Sequence, residues 1–285
     1  LLKNAKKVDQ FLINFLKKQK TSLLVKPMKY GVISGGKKIR STIIFDTGKI
    51  FNIKEKKLLN ICAAVECVHS YSLIHDDLPC MDNDSLRRGK LTTHKKFSES
   101  TAILAGNSLL TIAFQILSHK ALKLNEQKKI KLINLLAESS GHSGIAGGQF
   151  LDLSYEKIKK SKKQIIEMQI KKTGKLFSFC CVAPIIMSGK IKYFNRFSKI
   201  GNQIGLLFQI ADDLIDLRGK TSSAGKKTKK DLKMGKATLI SLLGTNNTIK
   251  YADKLKLKIF KSLKIFGKKS DDFKETINYI LSRSK

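Results

Sequence analysis

The chain has 285 residues, 42% of them hydrophobic, and carries a formal net charge of 56 − 22 = +34. That length fits one large domain or two ordinary ones, and the apolar share is enough to bury a sizeable core. The charge invites a nucleic-acid partner, yet six basic residues are arginine, leaving 56 − 6 = 50 lysines strung along the whole chain without interleaved aromatics, which suits neither base reading nor single-strand stacking.

In chain order, residues 1–24 place Val8, Leu12, Phe15 and Leu16 at helical spacing, and a glycine-bearing loop at 31–36 precedes a second helix from about Lys38. Residues 58–78 read as a long helix stopped by Pro79. Residues 101–122, 128–140, 162–188 and 193–217 continue the helical series. The polar, lysine-rich stretch 219–235 reads as a loop, and helices resume from Ala237. Only Pro27, Pro79 and Pro184 interrupt the chain, and no window alternates long enough to be a half-buried strand. The expectation is an all-α fold, a single large helical bundle of about ten helices in one domain over 1–285. Residues 100–119 carry no formal charge and are long enough to span a membrane. Their Ser100, Thr101, Asn107, Ser108, Thr111 and Gln115 suit hydrocarbon poorly, so a central bundle helix is expected and no membrane span. The five cysteines lack zinc-site spacing, and their odd number without a signal peptide points to a reducing, cytoplasmic setting.

Of only 22 acidic residues, seven fall in two clusters, Asp76-Asp77-Leu78-Pro79-Cys80-Met81-Asp82-Asn83-Asp84 and Asp212-Asp213-Leu214-Ile215-Asp216. Carboxylates stacked towards a helix C-terminus oppose one another and the macrodipole, so a bound cation is implied. Asp212 and Asp216 fall about 40° apart on one helix face and Asp213 about 100° from Asp212, with Gln209 projecting between Asp212 and Asp213. These are hard oxygen donors, which select Mg²⁺ or Mn²⁺ over zinc. Cations for phosphate accompany them in Gly35-Gly36-Lys37-Lys38-Ile39-Arg40 and Arg87-Arg88-Gly89, which hold three of the six arginines.

As a set, with Cys67-Val68-His69 through Asp77, Gly148-Gln149-Phe150-Leu151-Asp152, Lys172-Thr173-Gly174 and Phe208-Gln209 through Asp216, these motifs resemble the trans-isoprenyl diphosphate synthases. The similarity runs from about Gly31 to Gly244 and is greatest to the bacterial-type short-chain, farnesyl-forming enzymes. It implies a bundle around a central substrate cavity, a homodimer without a nucleic-acid partner, and condensation of isopentenyl diphosphate with dimethylallyl or geranyl diphosphate. It also implies roles. Asp76, Asp77, Asp82, Asp212, Asp213 and Asp216 would hold three Mg²⁺ ions. Arg87, Lys172, Lys226 and Lys236 would contact the allylic diphosphate, and Thr173 and Gln209, catalytic with Lys172, would stabilise the allylic cation. Lys37, Arg40, His69 and Arg88 would bind isopentenyl diphosphate. Tyr71 and Ser72 would set chain length, Tyr71 sitting about 7–8 Å below Asp76 along the helix. Beside Asp76, His75 reads as a packing residue.

The chain departs from the family pattern at Ser41 and Leu91, where proline is usual, at Asn107, Lys220 and Lys229, and at Leu239-Ile240. A geranyl- or geranylgeranyl-forming enzyme, a terpene cyclase and a non-catalytic partner subunit are the alternatives. The last usually lacks one aspartate cluster, and a cyclase does not need Lys37, Arg40 and His69.

Overall fold

Helix α1 (Leu2–Lys17) buries Ala5, Val8, Leu12 and Leu16, an i, i+3/i+4 stripe that makes it a one-faced cover for the interior. The structure, a computed structural model, describes residues 1–19, 23–218 and 236–282. Lys220, Lys226, Lys229 and the loop expected at 219–235 lie outside the described residues. Next come α2 (Val25–Val32), α3 (Ile39–Ile50) and α4 (Glu55–Asp76). The sequence reading did not foresee α2, because Pro27 sits within it. Proline is tolerated in a first turn, where its missing N–H has no intrahelical partner to lose.

A short helix α5 (Thr93–Lys96) leads into α6 (Glu99–Ser118), followed by α7 (Glu126–Ser140), α8 (Ile145–Ser154) and α9 (Lys162–Gln169). After a π-helical segment (Ile170–Gly174) come α10 (Lys175–Ser188) and α11 (Phe194–Arg218). Beyond the undescribed stretch are α12 (Leu239–Leu243), α13 (Thr245–Leu263) and α14 (Asp271–Ser282). Strand is confined, among the described residues, to a minimal hairpin pairing Leu86 with Leu91 and Arg87 with Lys90. The fold is all-α.

Three helices form the centre. Every residue of α10 from Leu176 to Met187 is buried, α3 is buried on all sides, and α11 packs along α10. A helix apolar all round belongs in such a position. Helix α4 joins them through Leu58, Ile61, Val65 and Val68 and pairs most extensively with α6.

Two expectations shift here. Helix α6 is long and apolar enough to cross a membrane by length and composition, but only 44% of its apolar window is buried. It is also not central. Ala102, Ala105, Gly106, Leu109 and Ala113 face inward against α4, while Ile103 and Leu104 are 42% and 55% exposed. The single helix expected over 162–188 is broken by the π segment, whose wider turn shifts the phase of the side chains that follow.

Candidate active site

The first aspartate cluster sits where α4 ends. Beyond Asp76 the backbone doubles back, with Asp82 N–H donating to Asp76 O (2.8 Å) and Asp84 N–H to Asp77 O (3.2 Å). The six-residue separation in sequence thereby becomes proximity, and Asp76 and Asp82 line one side of a cavity of about 350 Å³. From α11 come Asp212, Asp213 and Asp216, which line it too. Burial pushes the Asp76 carboxyl up to about 6, against the pull of Lys172.

Lys172 and Thr173 enter from the π segment. Thr173 Oγ1 donates to Gln209 Oε1 (3.3 Å), and Gln209 Nε2 donates to Asp213 Oδ1 (2.8 Å). The chain Thr173–Gln209–Asp213 fixes the amide's orientation and leaves the threonine oxygen's lone pairs free to face the cavity. Lys172 Nζ donates to Asp152 Oδ2 at 2.6 Å, and Lys236 Nζ lies 3.1 Å from Asp82 Oδ1 and 3.5 Å from Asp152 Oδ2. Burial alone would lower the Lys172 pKa. Asp152 foremost, with Asp76 and Asp82, overrides it and holds the ammonium above its ordinary value. For Asp152, burial works upward, but Lys172 and Lys236 keep the carboxyl below its usual range.

A second hollow of about 320 Å³ adjoins the first and is lined by Gly36, Lys37, Arg40, Glu66, His69 and Arg88, among others. The Arg40 guanidinium lies 4.7 Å from the Phe177 ring centroid and 5.4 Å from that of Phe208, a stacked geometry that lysine could not adopt. Arg40 Nη1 is 3.2 Å from His69 Nε2. A guanidinium only donates, so the imidazole accepts. Burial, with Arg40 and Arg88 nearby, pushes His69 well below its ordinary pKa, which keeps it neutral. Arg88 Nη1 donates to Gly35 O and, at 3.2 Å, to Ser34 Oγ. A Cβ at Gly36 would sit 2.6 Å from Arg88 Cζ, so the close approach of Arg88 to the turn requires glycine there.

The structure thus brings together Arg40, His69, Ser72, Asp76, Asp82, Arg87, Arg88, Lys172, Thr173, Gln209, Asp212, Asp213, Asp216 and Lys236 around the larger cavity, with Lys37 in the adjoining hollow. Two sequence-derived residues stand elsewhere. Asp77 is 3% exposed, and its carboxylate accepts from Arg87 Nε (3.0 Å) and Nη2, away from the cavity lining. The Arg87 contact turns the Asp77 carboxylate away from the cavity that Asp76 lines. Tyr71 is likewise absent from the lining, which shows Ser72 instead. The Tyr71 ring packs edge-on to His75 at 5.0 Å, and His75 Nε2 lies 3.1 Å from Ile103 O, the packing role expected for that histidine. Lys226 is outside the described residues.

Sequence reasoning quoted Asp152 within a motif but gave no role to it, the acceptor shared by two lysines. Its signal was present, an aspartate in an apolar helix three residues after Gln149. It also missed α8, whose glycines lower helix propensity. A Cβ at Gly148 would meet Lys172 N at 2.1 Å, so that glycine permits α8 to press against the π segment. Glu66, buried in the wall of the smaller hollow, was missed as well.

The two clusters offer only carboxylate oxygens and the Gln209 amide, a donor set that fits Mg²⁺. Among the described residues, no three carboxylate, imidazole or thiol side chains converge as a closed metal site. A small octahedral ion would therefore complete its shell with water and substrate phosphate, as Mg²⁺ ordinarily does.

The polyprenyl synthetase family model matches residues 21–280. A farnesyl diphosphate synthase from Micrococcus luteus is 39% identical over 265 residues, covering 93% of this chain and 90% of that one. Among solved structures, an FPP/GFPP synthase from Zymomonas mobilis in its apo form superposes with a TM-score of 0.86 at 36% identity, covering 98% of this chain and 100% of that one. A geranyltransferase from Helicobacter pylori, complexed with magnesium and isoprenyl diphosphate, superposes with a TM-score of 0.82 at 30% identity, covering 98% of this chain and 95% of that one.

Proposed function

The chain belongs to the polyprenyl synthetase family, and on that premise we propose that it condenses isopentenyl diphosphate with dimethylallyl and then geranyl diphosphate, giving farnesyl diphosphate and inorganic diphosphate. One observation carries this reading. Two carboxylate clusters on different helices line one cavity with Lys172 and Lys236, while a second, carboxylate-poor hollow with Lys37, Arg40 and Arg88 adjoins it. That is the layout for two diphosphates, one metal-held and one held by cations alone.

Asp76, Asp82, Asp212, Asp213 and Asp216 would hold the ions, three with substrate present, Mg²⁺ or Mn²⁺. The bound metal supplies Lewis-acid stabilisation to the departing diphosphate. Lys172, Arg87 and Lys236 bind and orient that diphosphate. Thr173 and Gln209 present neutral oxygens to the developing allylic cation, which dipoles stabilise without covalent capture. Neutral His69 and the stacked Arg40 guanidinium, with Lys37 and Arg88, fix isopentenyl diphosphate so that its double bond faces C1 of the allyl group. Asp77 serves to anchor Arg87. Ser72, on the cavity lining, with Tyr71 beside it packed against His75, would limit product length.

A second copy of the chain would cover the exposed Ile103 and Leu104 on α6. All five cysteines are free thiols, which suits a reducing, cytoplasmic setting. The test is incubation with Mg²⁺, labelled isopentenyl diphosphate and geranyl diphosphate. A chelator-sensitive fifteen-carbon product is expected, and a protein that elongates neither geranyl nor dimethylallyl diphosphate would refute the reading.

A further inference from the structure

An acidic residue lines the hollow assigned to an anion. Glu66 on α4 is 2% exposed and stands three residues before His69. An unbalanced carboxylate there would repel a diphosphate, so its partners matter. Ser41 Oγ donates to Glu66 Oε1 at 2.7 Å, and Lys38 Nζ lies 3.6 Å from Oε2. Lys38 Nζ also donates to Val32 O at 2.8 Å and lies 3.4 Å from Asp9 Oδ1. Its side chain is 2% exposed. Lys38 also lines this hollow, but its ammonium is turned inward, between α1, the end of α2, and α4.

The segment that Lys38 belongs to does not support its own shape. Gly35 (φ 88°), Gly36 (φ 100°) and Lys38 (φ 46°) all adopt positive φ. Among the described residues, no backbone N–H of residues 35–38 donates to a backbone carbonyl. Side chains must therefore hold the turn. Arg88 braces Gly35 and Ser34 from the cavity side, and the Glu66–Lys38–Ser41 group braces it from beneath. Lys38 caps the start of α3 and Ser41 lies in its first turn, so Glu66 fixes both sides of the junction from which Arg40 projects.

We propose that Glu66 is a positioning residue for isopentenyl diphosphate: by holding Lys38 and Ser41 it sets the left-handed turn so that Lys37, Arg40 and the turn's own N–H groups face one hollow. This rests on reading that hollow as the isopentenyl diphosphate site. Glu66 does not touch the substrate. Its side-chain contacts are with Ser41 and Lys38 of the turn and α3, away from Asp152, Lys172 and the allylic side.

The test is Glu66→Gln, which keeps the shape and removes the charge. The KM for isopentenyl diphosphate should rise about 10- to 100-fold, the range for weakening a charge-assisted buried contact. The KM for geranyl diphosphate should stay within about twofold, and amides of residues 35–40 should exchange hydrogen about tenfold faster. A general structural role would instead move both KM values together or lower kcat alone, and either result overturns the proposal. If Glu66→Gln fails to fold, Ser41→Ala removes only the hydroxyl tie and must show the same pattern at smaller amplitude; an unchanged KM for isopentenyl diphosphate there overturns it. If the unsubstituted protein makes no product, the functional reading fails, and Glu66 is then judged by hydrogen exchange alone. Faster exchange across the turn in the folded variant supports the brace, and unchanged exchange overturns it.

Discussion

Replacing Asp152 with asparagine tests how the two lysines of the larger cavity are held. Asparagine preserves the shape and can still accept from Lys172, now 2.6 Å from Asp152 Oδ2, but the charge is gone. A hydrogen bond to a charged group contributes ~1.5–3 kcal/mol net, so kcat/KM for the allylic substrate should fall roughly 10- to 150-fold. The longer contact to Lys236, 3.5 Å, adds little. The pH profile gives a second readout. Burial is the largest influence on Lys172 and works to lower its pKa, with Asp152 the chief opposing charge. Without that charge the lysine loses its proton at lower pH, so the alkaline limb of kcat/KM should move down in pH. Initial rates with labelled isopentenyl diphosphate, varied geranyl diphosphate and a series of buffers read both effects. Unchanged kcat/KM with an unmoved alkaline limb would refute the argument that Asp152 keeps Lys172 charged.

Three further outcomes follow from buried carboxyls. Asp46, on the far side of α3, accepts from Thr276 Oγ1 at 2.7 Å, and burial pushes its carboxyl up to about 7 from 3.8. The folded state therefore binds this proton more tightly than the unfolded one. Its contribution is fully present below the ordinary aspartate range and is lost as pH rises towards about 7, by ~4 kcal/mol at most. Asp46→Asn should flatten that slope in chemical denaturation across this window, and an unaltered slope would exclude Asp46 as its source. In the first aspartate cluster, Asp76→Asn should raise the Mg²⁺ concentration for half-maximal rate and cost roughly 10²–10³ in kcat. Asp77→Asn, whose carboxylate is engaged by Arg87, should leave the Mg²⁺ dependence in place, as titration of rate against Mg²⁺ will show.

The long helices were legible because their apolar residues recur at the helical period, and α4 and α11 carried their carboxylates within that pattern. The relative directions of Asp212, Asp213 and Asp216 could be read from spacing, since one straight helix fixes their angles, and all three line the larger cavity. The first cluster was harder. The return of Asp82 to Asp76 depends on two backbone hydrogen bonds across a non-helical turn, which no periodicity encodes. The diversion of Asp77 depends on where Arg87 is held within a hairpin that has two paired residues on each side. Helix α8 escaped notice because its glycines argue against helix locally, while the tertiary reason for them, room for Lys172, is visible only in three dimensions. Ser41 looked like a mere loss of proline, and its hydroxyl's partner lies 25 positions away on another helix.

The ion pairs of Lys172 and Lys236 with Asp152 and Asp82 have a thermodynamic consequence. Lys236 rests on an aspartate that the metal would claim, and both lysines rest on charges that the diphosphate would outbid. A divalent ion arriving alone at Asp82 would displace Lys236 from that carboxylate and leave it the longer contact with Asp152, whereas a diphosphate arriving alone would meet carboxylates still unneutralised. Arriving together, each satisfies the group that the other releases. On the proposed function the two ligands would thus be coupled through one exchange of counter-ions, and by reciprocity each would raise the other's affinity by the same factor.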